Sequence, residues 1–583
     1  MTKLPRLLEE GRTRGMTLIT LCCIGQGAGL MLSAFATRDI FMVLHSGNGL
    51  GVEALLMLAI AATLLALCEA NGNVRAEEVG QSYARSLRMR LYHHISGMSQ
   101  FDISKRRLGA LSLRFVGDMS AARAWAGQGL ARMAAALIIL PTAVLTLYLL
   151  NPLLAIAGSV PVLLALVGSV AFASALPGSH KSLRSRRAGI AISMIERIAI
   201  ATRLDLLGRT PRELQALKKK SNNVVDDAVD RTGLVSMLYV LPQLGAGFGG
   251  IAIFITAAGF QMPASDAAAA TAVLAITMLP LRDLAGVWDR YCAWRIAKGK
   301  LCELLATESI ERQFQARNHA VSVKLDAVWV AGVYADIELQ AGSLVHLVGA
   351  AGSGKSSLLA AITAQCRPNT GRITFSEREA VPKIAYVGDK LSILKGSLRR
   401  SLTLGCKSRP PDDKVLEVAR DFGLIHLVNR IGGLGGRIEE LGGSVSSGEA
   451  LRIEIVRSIL SEPDLIIIDS SSLLADNEAN TLVEMIYSSC QSTLIVAGGR
   501  ARDFPSAQVI CIEDGILKPA SSFDDNDCRD AEPECSSASN RSESLARRLN
   551  ACSAIQPNAG RPRLLQKTKP VLRLAASGAG GSK

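Results

Sequence analysis

Nine consecutive residues carry the most specific chemistry in the chain. Gly349-Ala350-Ala351-Gly352-Ser353-Gly354-Lys355-Ser356-Ser357 fits the pattern G-x-x-x-x-G-K-[ST]. Glycines let a backbone wrap closely around phosphate groups, so that its N–H groups point inward at the start of a helix. A lysine at this spacing reaches β- and γ-phosphates, and the following hydroxyl can ligate Mg²⁺. Lys355 and Ser356 are the candidates for those roles. The flanks agree. Leu344 to Val348 reads as a buried strand running into the loop, and an apolar helix is expected from Leu358. The motif predicts nucleotide binding.

The elements around this loop must be of two kinds. The chain has 583 residues, enough for two or three domains, and 49% of them are hydrophobic. Mean hydropathy is +0.26 and aromatics supply only 4%. Ala, Leu, Val and Ile carry the apolar mass, which suits helices in lipid better than a β-rich soluble core. The net charge of +14 is accounted for by Lys and Arg in cytoplasmic loops, and no aromatic-basic interleaving points to nucleic acid. The twelve cysteines are scattered without C-x-x-C spacing, which argues against a disulfide framework or a zinc site.

Six apolar runs are long enough, or nearly so, to span a bilayer: Met16 to Ala36, Leu50 to Cys68, Met133 to Leu150, Pro152 to Leu176, Leu234 to Phe260 and Ala267 to Leu281. Ala34-Phe35-Ala36 resembles a signal-peptidase site, but the run is long for a signal peptide and a retained first helix is the preferred reading. The short connections near Arg38-Asp39, Asn151 and Asp266 carry almost no positive charge. The long ones, Asn71 to Arg132 and Pro177 to Arg231, are rich in Arg and Lys. Positive-inside logic puts both long loops, the N-terminus and everything after the sixth helix in the cytoplasm. Ala84 to Ser96 and Ala191 to Leu207 read as amphipathic helix.

At this point the chain resembles the ABC exporter family. Arg85-Ser86-Leu87-Arg88-Met89-Arg90-Leu91-Tyr92, then Phe101, Arg107 to Arg114 and Asp118, look like that family's first cytoplasmic loop. Pro280 to Leu284, continuing to Leu304-Leu305, looks like its sixth helix and exit. The resemblance implies coupling helices around Ser96 to Ser104 and Ala191 to Leu206. It also implies a multi-domain fold: an all-α six-helix transmembrane domain of ABC exporter type, then an α/β P-loop NTPase ATP-binding domain. The expected partition is residues 1–15 as cytoplasmic N-terminus, 16–310 as membrane domain, 311–320 as linker, 321–519 as ATP-binding domain and 520–583 as a tail. The tail's Ser, Asp, Asn, Glu and Pro composition reads as disordered.

Along the ATP-binding half the resemblance assigns roles and exposes departures. Leu465 to Asp469 looks like the Walker B strand, with Asp469 holding Mg²⁺ through water. The family's catalytic glutamate falls on Ser470, a hydroxyl that cannot act as a base at neutral pH without its own activator. The Q-loop glutamine falls on Asp389, and the switch histidine falls on Gly499. The signature loop is Val445-Ser446-Ser447-Gly448-Glu449, where Ser447 replaces a glycine and adds a Cβ near the ligand. In the family this loop completes the site on the opposite subunit. Glu440 fits a glutamate facing the coupling helices, and Asp476 fits the D-loop aspartate. Trp329 and Tyr334 are the candidates for the adenine-stacking aromatic, with Trp329 expected instead to match a core position.

These positions imply a subunit that binds ATP and Mg²⁺ but hydrolyses ATP poorly at its own site, so that no catalytic residue is intact. The expected partner is a second half-transporter with intact Walker motifs, in a heterodimer that moves an unidentified substrate. Membrane lipid is the other expected contact. The alternatives are a homodimeric exporter with slow hydrolysis and a non-transporting, ATP-sensing membrane regulator. The expected location is a bacterial inner (plasma) membrane. The membrane runs carry almost no charge, which leans toward an amphipathic or lipid-like cargo.

Overall fold

The computed structural model describes residues 4–519 apart from 47–50, 107, 311–313, 318, 377, 379, 389–392, 440–443, 471–472, 474–478 and 501–502. Asp389, Glu440, Asp476, Arg107 and the tail lie outside the described residues.

The N-terminal half is helical throughout. Its elements are α1 (Arg12–Ser46), α2 (Val52–Gly97), α3 (Gln100–Ser104), α4 (Leu108–Leu113), α5 (Met119–Ala124), α6 (Leu130–Leu150), α7 (Pro152–Ile198), α8 (Ala201–Leu206), α9 (Thr210–Gly259) and α10 (Ala264–Leu305). Among the described residues, six helical stretches are long and apolar enough to cross a membrane. Five of them, at 42 residues or more, far exceed a bilayer's need. At 1.5 Å per residue the 50 residues of α9 reach about 75 Å, against a hydrocarbon core of about 30 Å. The surplus length carries the basic segments that the sequence places in the cytoplasm. Prolines 141, 161, 177, 242 and 280 all lie inside helices. Neighbouring helices can satisfy the backbone groups they free.

Small residues set the closest approaches. A Cβ on Gly127 would meet the Ala76 carbonyl, and one on Gly80 would lie 2.7 Å from the Arg123 carbonyl. Likewise a Cβ on Gly249 would lie 2.7 Å from the Gly158 carbonyl, so α7 and α9 touch nearly backbone to backbone. Two π turns, Arg114–Asp118 and Trp125–Gly129, separate α4, α5 and α6. The second brings Gly127 against α2.

One expectation needs correction. Ala191 to Leu207 is not one helix: α7 ends at Ile198, and α8 starts at Ala201 with no buried residue. In the Ser96–Ser104 segment α2 runs to Gly97 and the short α3 follows, capped by the Ser99 hydroxyl, which accepts from the Asp102 N–H at 3.2 Å. Charged side chains just beyond the apolar runs are paired. Asp266 is 5% exposed and paired with Arg38 at 2.7 Å, and Arg132 pairs with Asp283. Pairing supplies the partner that a buried charge requires.

Past α10, Ile310 and Gln315 are held by backbone hydrogen bonds. The Ile310 N–H donates to the Gly97 carbonyl at 2.7 Å, and Gln315 N–H donates to Val381 O at 2.9 Å. Strand β1 (Val323–Val330) then opens a nine-stranded sheet. The others are β2 (Val333–Leu339), β3 (Leu344–Gly349), β4 (Thr370–Phe375), β5 (Ile384–Gly388), β8 (Leu465–Asp469), β9 (Thr493–Ala497), β10 (Gln508–Glu513) and β11 (Ile516–Pro519), with β6 (Gly396–Ser397) and β7 (Arg437–Ile438) forming a separate pair. The order is β4-β1-β2-β11-β10-β3-β9-β8-β5. The β10-β3-β9-β8-β5 block is parallel. Parallel strands buried on both faces should be apolar throughout, and they are. Leu465 and Ile467 face one core with Leu358 and Leu359 of α11 (Lys355–Ile362). Ile466 and Ile468 face the other with Leu451 and Ile455 of α15 (Ser447–Leu460), which follows α12 (Leu398–Leu402), α13 (Asp412–Asp421) and α14 (Ile425–Arg430).

Candidate nucleotide-binding site

Strand β3 delivers Gly349 at its C-terminal end, and α11 begins at Lys355, three residues earlier than the sequence suggested. The loop between them carries two positive-φ glycines, Gly352 at +80° and Gly354 at +101°. Gly354 has no substitute. A Cβ there would sit 2.5 Å from Val333 Cγ2, in backbone space that L residues avoid. Lys355 Nζ folds back under the loop and donates to Gly349 O at 2.6 Å and Ala350 O at 2.9 Å. Burial pushes its ammonium below the usual lysine range, and the Asp469 carboxylate pulls the other way.

The nine motif residues thus share one loop and one helix N-terminus. Ser353 Oγ is buried there without a hydrogen-bond partner. Such an orphaned hydroxyl is expensive unless something completes it, and a phosphate oxygen at a helix N-terminus would do so. The residues therefore fit the phosphate group that the motif implies. For Mg²⁺ the fit is by donor chemistry: the Ser356 hydroxyl and the Asp469 carboxylate are hard oxygen donors, and this ion keeps most of its coordination for water and phosphate. Among the described residues no group of three His, Cys, Asp or Glu gathers at metal-binding distance.

Asp469 ends β8 opposite Gly388 of β5, and Tyr386 donates its hydroxyl to Asp469 Oδ2 at 3.0 Å. Ser470 follows and is 2% exposed. Its hydroxyl accepts from the Leu473 N–H at 3.4 Å. Gly388, the last described residue of β5, lies beside Asp469.

Gly499 is exposed at φ +76°. The preceding Gly498 is held from two sides. Its N–H donates to Leu347 O at 2.9 Å, and its carbonyl accepts from His346 Nε2 at 2.6 Å. His346 is fully buried on β3 and meets the Phe504 ring edge-on, with centroids 4.8 Å apart. Burial holds its imidazole below the usual histidine range, against the opposing pull of the Gly498 bond. Sequence reasoning missed this clamp, although an imidazole inside an otherwise apolar strand was a legible anomaly.

The Val445–Glu449 segment opens α15. Ser446 Oγ accepts from the Glu449 N–H at 3.2 Å, and the Ser446 N–H donates to Glu449 Oε2 at 2.8 Å, a reciprocal capping box. Burial alone would raise the Glu449 carboxyl, but the Ser446 N–H and the Arg430 guanidinium, 2.8 Å away, hold it below the ordinary range. Ser446, Ser447 and Gly448 are exposed. The cavity in front of them is lined by Ser446 to Glu449, Leu451, Arg452 and Leu482, and by no residue of the 349–357 loop. Trp329 is 43% exposed and stands 6.4 Å from the Tyr334 ring. The core position expected for Trp329 is therefore wrong: it and Tyr334 share a surface.

Two family models match the chain: ABC transporter over residues 334–472, and ABC transporter transmembrane region over 16–264. The chain belongs to the ABC transporter family, with its transmembrane region and its ATP-binding domain fused in one polypeptide. A solved bacterial Atm1-family ABC exporter with ATP bound superposes with TM-score 0.72 at 18% identity, over 94% of this chain and 99% of that one, which gives the fold of an ABC exporter. The multidrug resistance ABC transporter ATP-binding and permease protein of Lactococcus lactis subsp. cremoris is 21% identical over 75% of this chain and 78% of its own length. Multidrug resistance protein 1 of Entamoeba histolytica is 25% identical over 30% of this chain, which spans only 15% of that protein. Six membrane-spanning helices make this an integral membrane protein.

Proposed function

We propose that the chain is the ATP-binding and permease subunit of an exporter and acts as the catalytically degenerate half of a heterodimer. Residues 16–310 form the permease and 321–519 the ATP-binding domain. The observation that carries this reading is Ser470. It directly follows Asp469, is buried, and its hydroxyl already accepts a backbone hydrogen bond. A hydroxyl, unlike a carboxylate, does not take a proton from water at neutral pH without an activator of its own. Gly499 offers no side chain to a γ-phosphate.

Binding chemistry is retained. Gly349 to Ser357 wrap the phosphates, and Lys355 turns its ammonium from the Gly349 and Ala350 carbonyls toward them. Ser356 and Asp469 hold Mg²⁺, which when bound neutralises phosphate charge. Trp329 or Tyr334 stacks on the adenine. The Val445–Glu449 loop, held by its capping box at the N-terminus of α15, faces the partner's nucleotide and supports hydrolysis there. The long cytoplasmic extensions of the helices carry the result to the membrane.

The test is steady-state phosphate release by the purified chain, alone and in the complex that co-purifies from native membranes. The chain alone should turn over very slowly. The complex should be active, and Ser446→Ala should lower its rate. Robust turnover by the chain alone, abolished by Lys355→Ala, defeats the heterodimer reading. An unchanged rate in the Ser446→Ala complex favours a regulator that completes no partner site.

A further inference from the structure

Between α1, α2, α6 and α10 lies a cavity of about 300 Å³, at the lower end of the range for small-molecule sites. Its walls are mostly apolar: Ile19, Leu65 and Ile276 among others. Three ionisable side chains share its lining, Glu69, Arg132 and Asp283. Each lies 17–19 residues from the end of its helix that is remote from the ATP-binding half, counted from Val52, Leu150 and Ala264. At 1.5 Å per residue that is about 26–29 Å, so all three stand at one level near the inner boundary of a hydrocarbon core of about 30 Å.

The charges do not cancel. Arg132 and Asp283 form an ion pair with each other. Glu69 forms no ion pair or hydrogen bond with a described residue. The lining therefore keeps one uncompensated carboxylate beside an apolar wall. Ionisable groups at membrane depth are costly and are kept where they meet a partner or a pathway. Glu69 is exposed, so its carboxylate is open to a cation.

We infer that this cavity holds the cargo and takes a monocationic amphiphile, its apolar body against Ile19, Leu65 and Ile276 and its cationic head against Glu69. The inference rests on the exporter reading and names the cargo class for it. It also sharpens the sequence-based lean toward amphipathic cargo by giving the head a sign.

The test uses the full chain in nanodiscs without nucleotide. Two isosteric probes differ only in charge: tetraphenylphosphonium and tetraphenylborate. Saturable tetraphenylphosphonium binding is expected. Glu69→Gln should weaken it about tenfold, or ~1.4 kcal/mol, while Glu69→Asp stays within about threefold of wild type. Tetraphenylborate should bind no less tightly to Glu69→Gln than to wild type. Thermal unfolding midpoints verify that the variants are folded. Absent saturable phosphonium binding, or equal affinity in wild type and Glu69→Gln, overturns the assignment. ATP binding by the wild-type sample separates the two readings. Saturable ATP binding without phosphonium binding removes only the cavity assignment, whereas loss of ATP binding removes the exporter reading.

Discussion

Restoring the missing groups is the sharpest probe of why this site should be slow. The perturbation is Ser470→Glu with Gly499→His. Ser470 is 2% exposed and adjoins Asp469, so a glutamate there adds a second, poorly solvated carboxylate. Its desolvation and the like-charge neighbour should cost about 1–3 kcal/mol of stability. Gly499 has φ +76°, and a residue with a Cβ in that region costs roughly 1–2 kcal/mol. Histidine is among the side chains that enter it most readily. Against this loss, a positioned general base contributes about 10²–10⁴ in rate. The expected outcome is turnover raised by about 10²-fold or more in the double variant, with less gain in Ser470→Glu alone. The assay is phosphate release from Mg-ATP in nanodiscs holding two copies of the chain, so that one copy's Val445–Glu449 loop can face the other's P-loop. Thermal unfolding is read in parallel. If both variants bind ATP, stay folded and still turn over within about threefold of wild type, the missing base and histidine are not what limits the site.

Further outcomes are expected for three substitutions. Lys355→Ala removes a charge-assisted contact worth about 1.5–3 kcal/mol, so ATP affinity measured by calorimetry should fall about 10- to 150-fold. Because burial lowers the Lys355 ammonium, wild-type affinity should decline with rising pH before the ordinary lysine value of ~10.4 is reached. Gly354→Ala forces a Cβ to 2.5 Å from Val333 Cγ2 at φ +101°, and should lower ATP affinity at least tenfold in the same assay. Ser446→Ala breaks the capping box and should lower the unfolding free energy by about 1 kcal/mol. The Glu449 carboxyl is lowered on folding, so its contribution is present above the ordinary glutamate value and disappears as pH falls through the lowered one. The Ser446→Ala deficit, followed by thermal unfolding against pH, should shrink across that window.

The sequence made some of this legible for definite physical reasons. A bilayer imposes a length and an apolar composition, so the six spans can be read from runs of residues. The loop that wraps a phosphate needs Gly354 and Lys355 at fixed spacing, and no packing detail changes that. Contacts between distant segments leave weaker traces. The clamp of His346 on Gly498 joins residues 152 apart, and only an odd imidazole in a buried strand hints at it. The pairing of Arg38 with Asp266 spans 228 residues. Each charge alone looks like a loop residue at a helix end. Helix periodicity continues through Ala199 and Ile200, so the break before α8 had no marker. Trp329 was expected in the core because the family resemblance matched it to a core aromatic, but its register opposite Tyr334 puts both rings on an outer face.

The central claim is that this chain's own site holds ATP without cleaving it. The direct measurement is the identity of the nucleotide retained after the purified chain is incubated with Mg-ATP, separated from free nucleotide, and denatured for chromatography. Intact ATP, at close to one per chain and still intact after an hour at 25 °C, is the expected result. Retained ADP, or ATP that decays to ADP within minutes, would contradict the account.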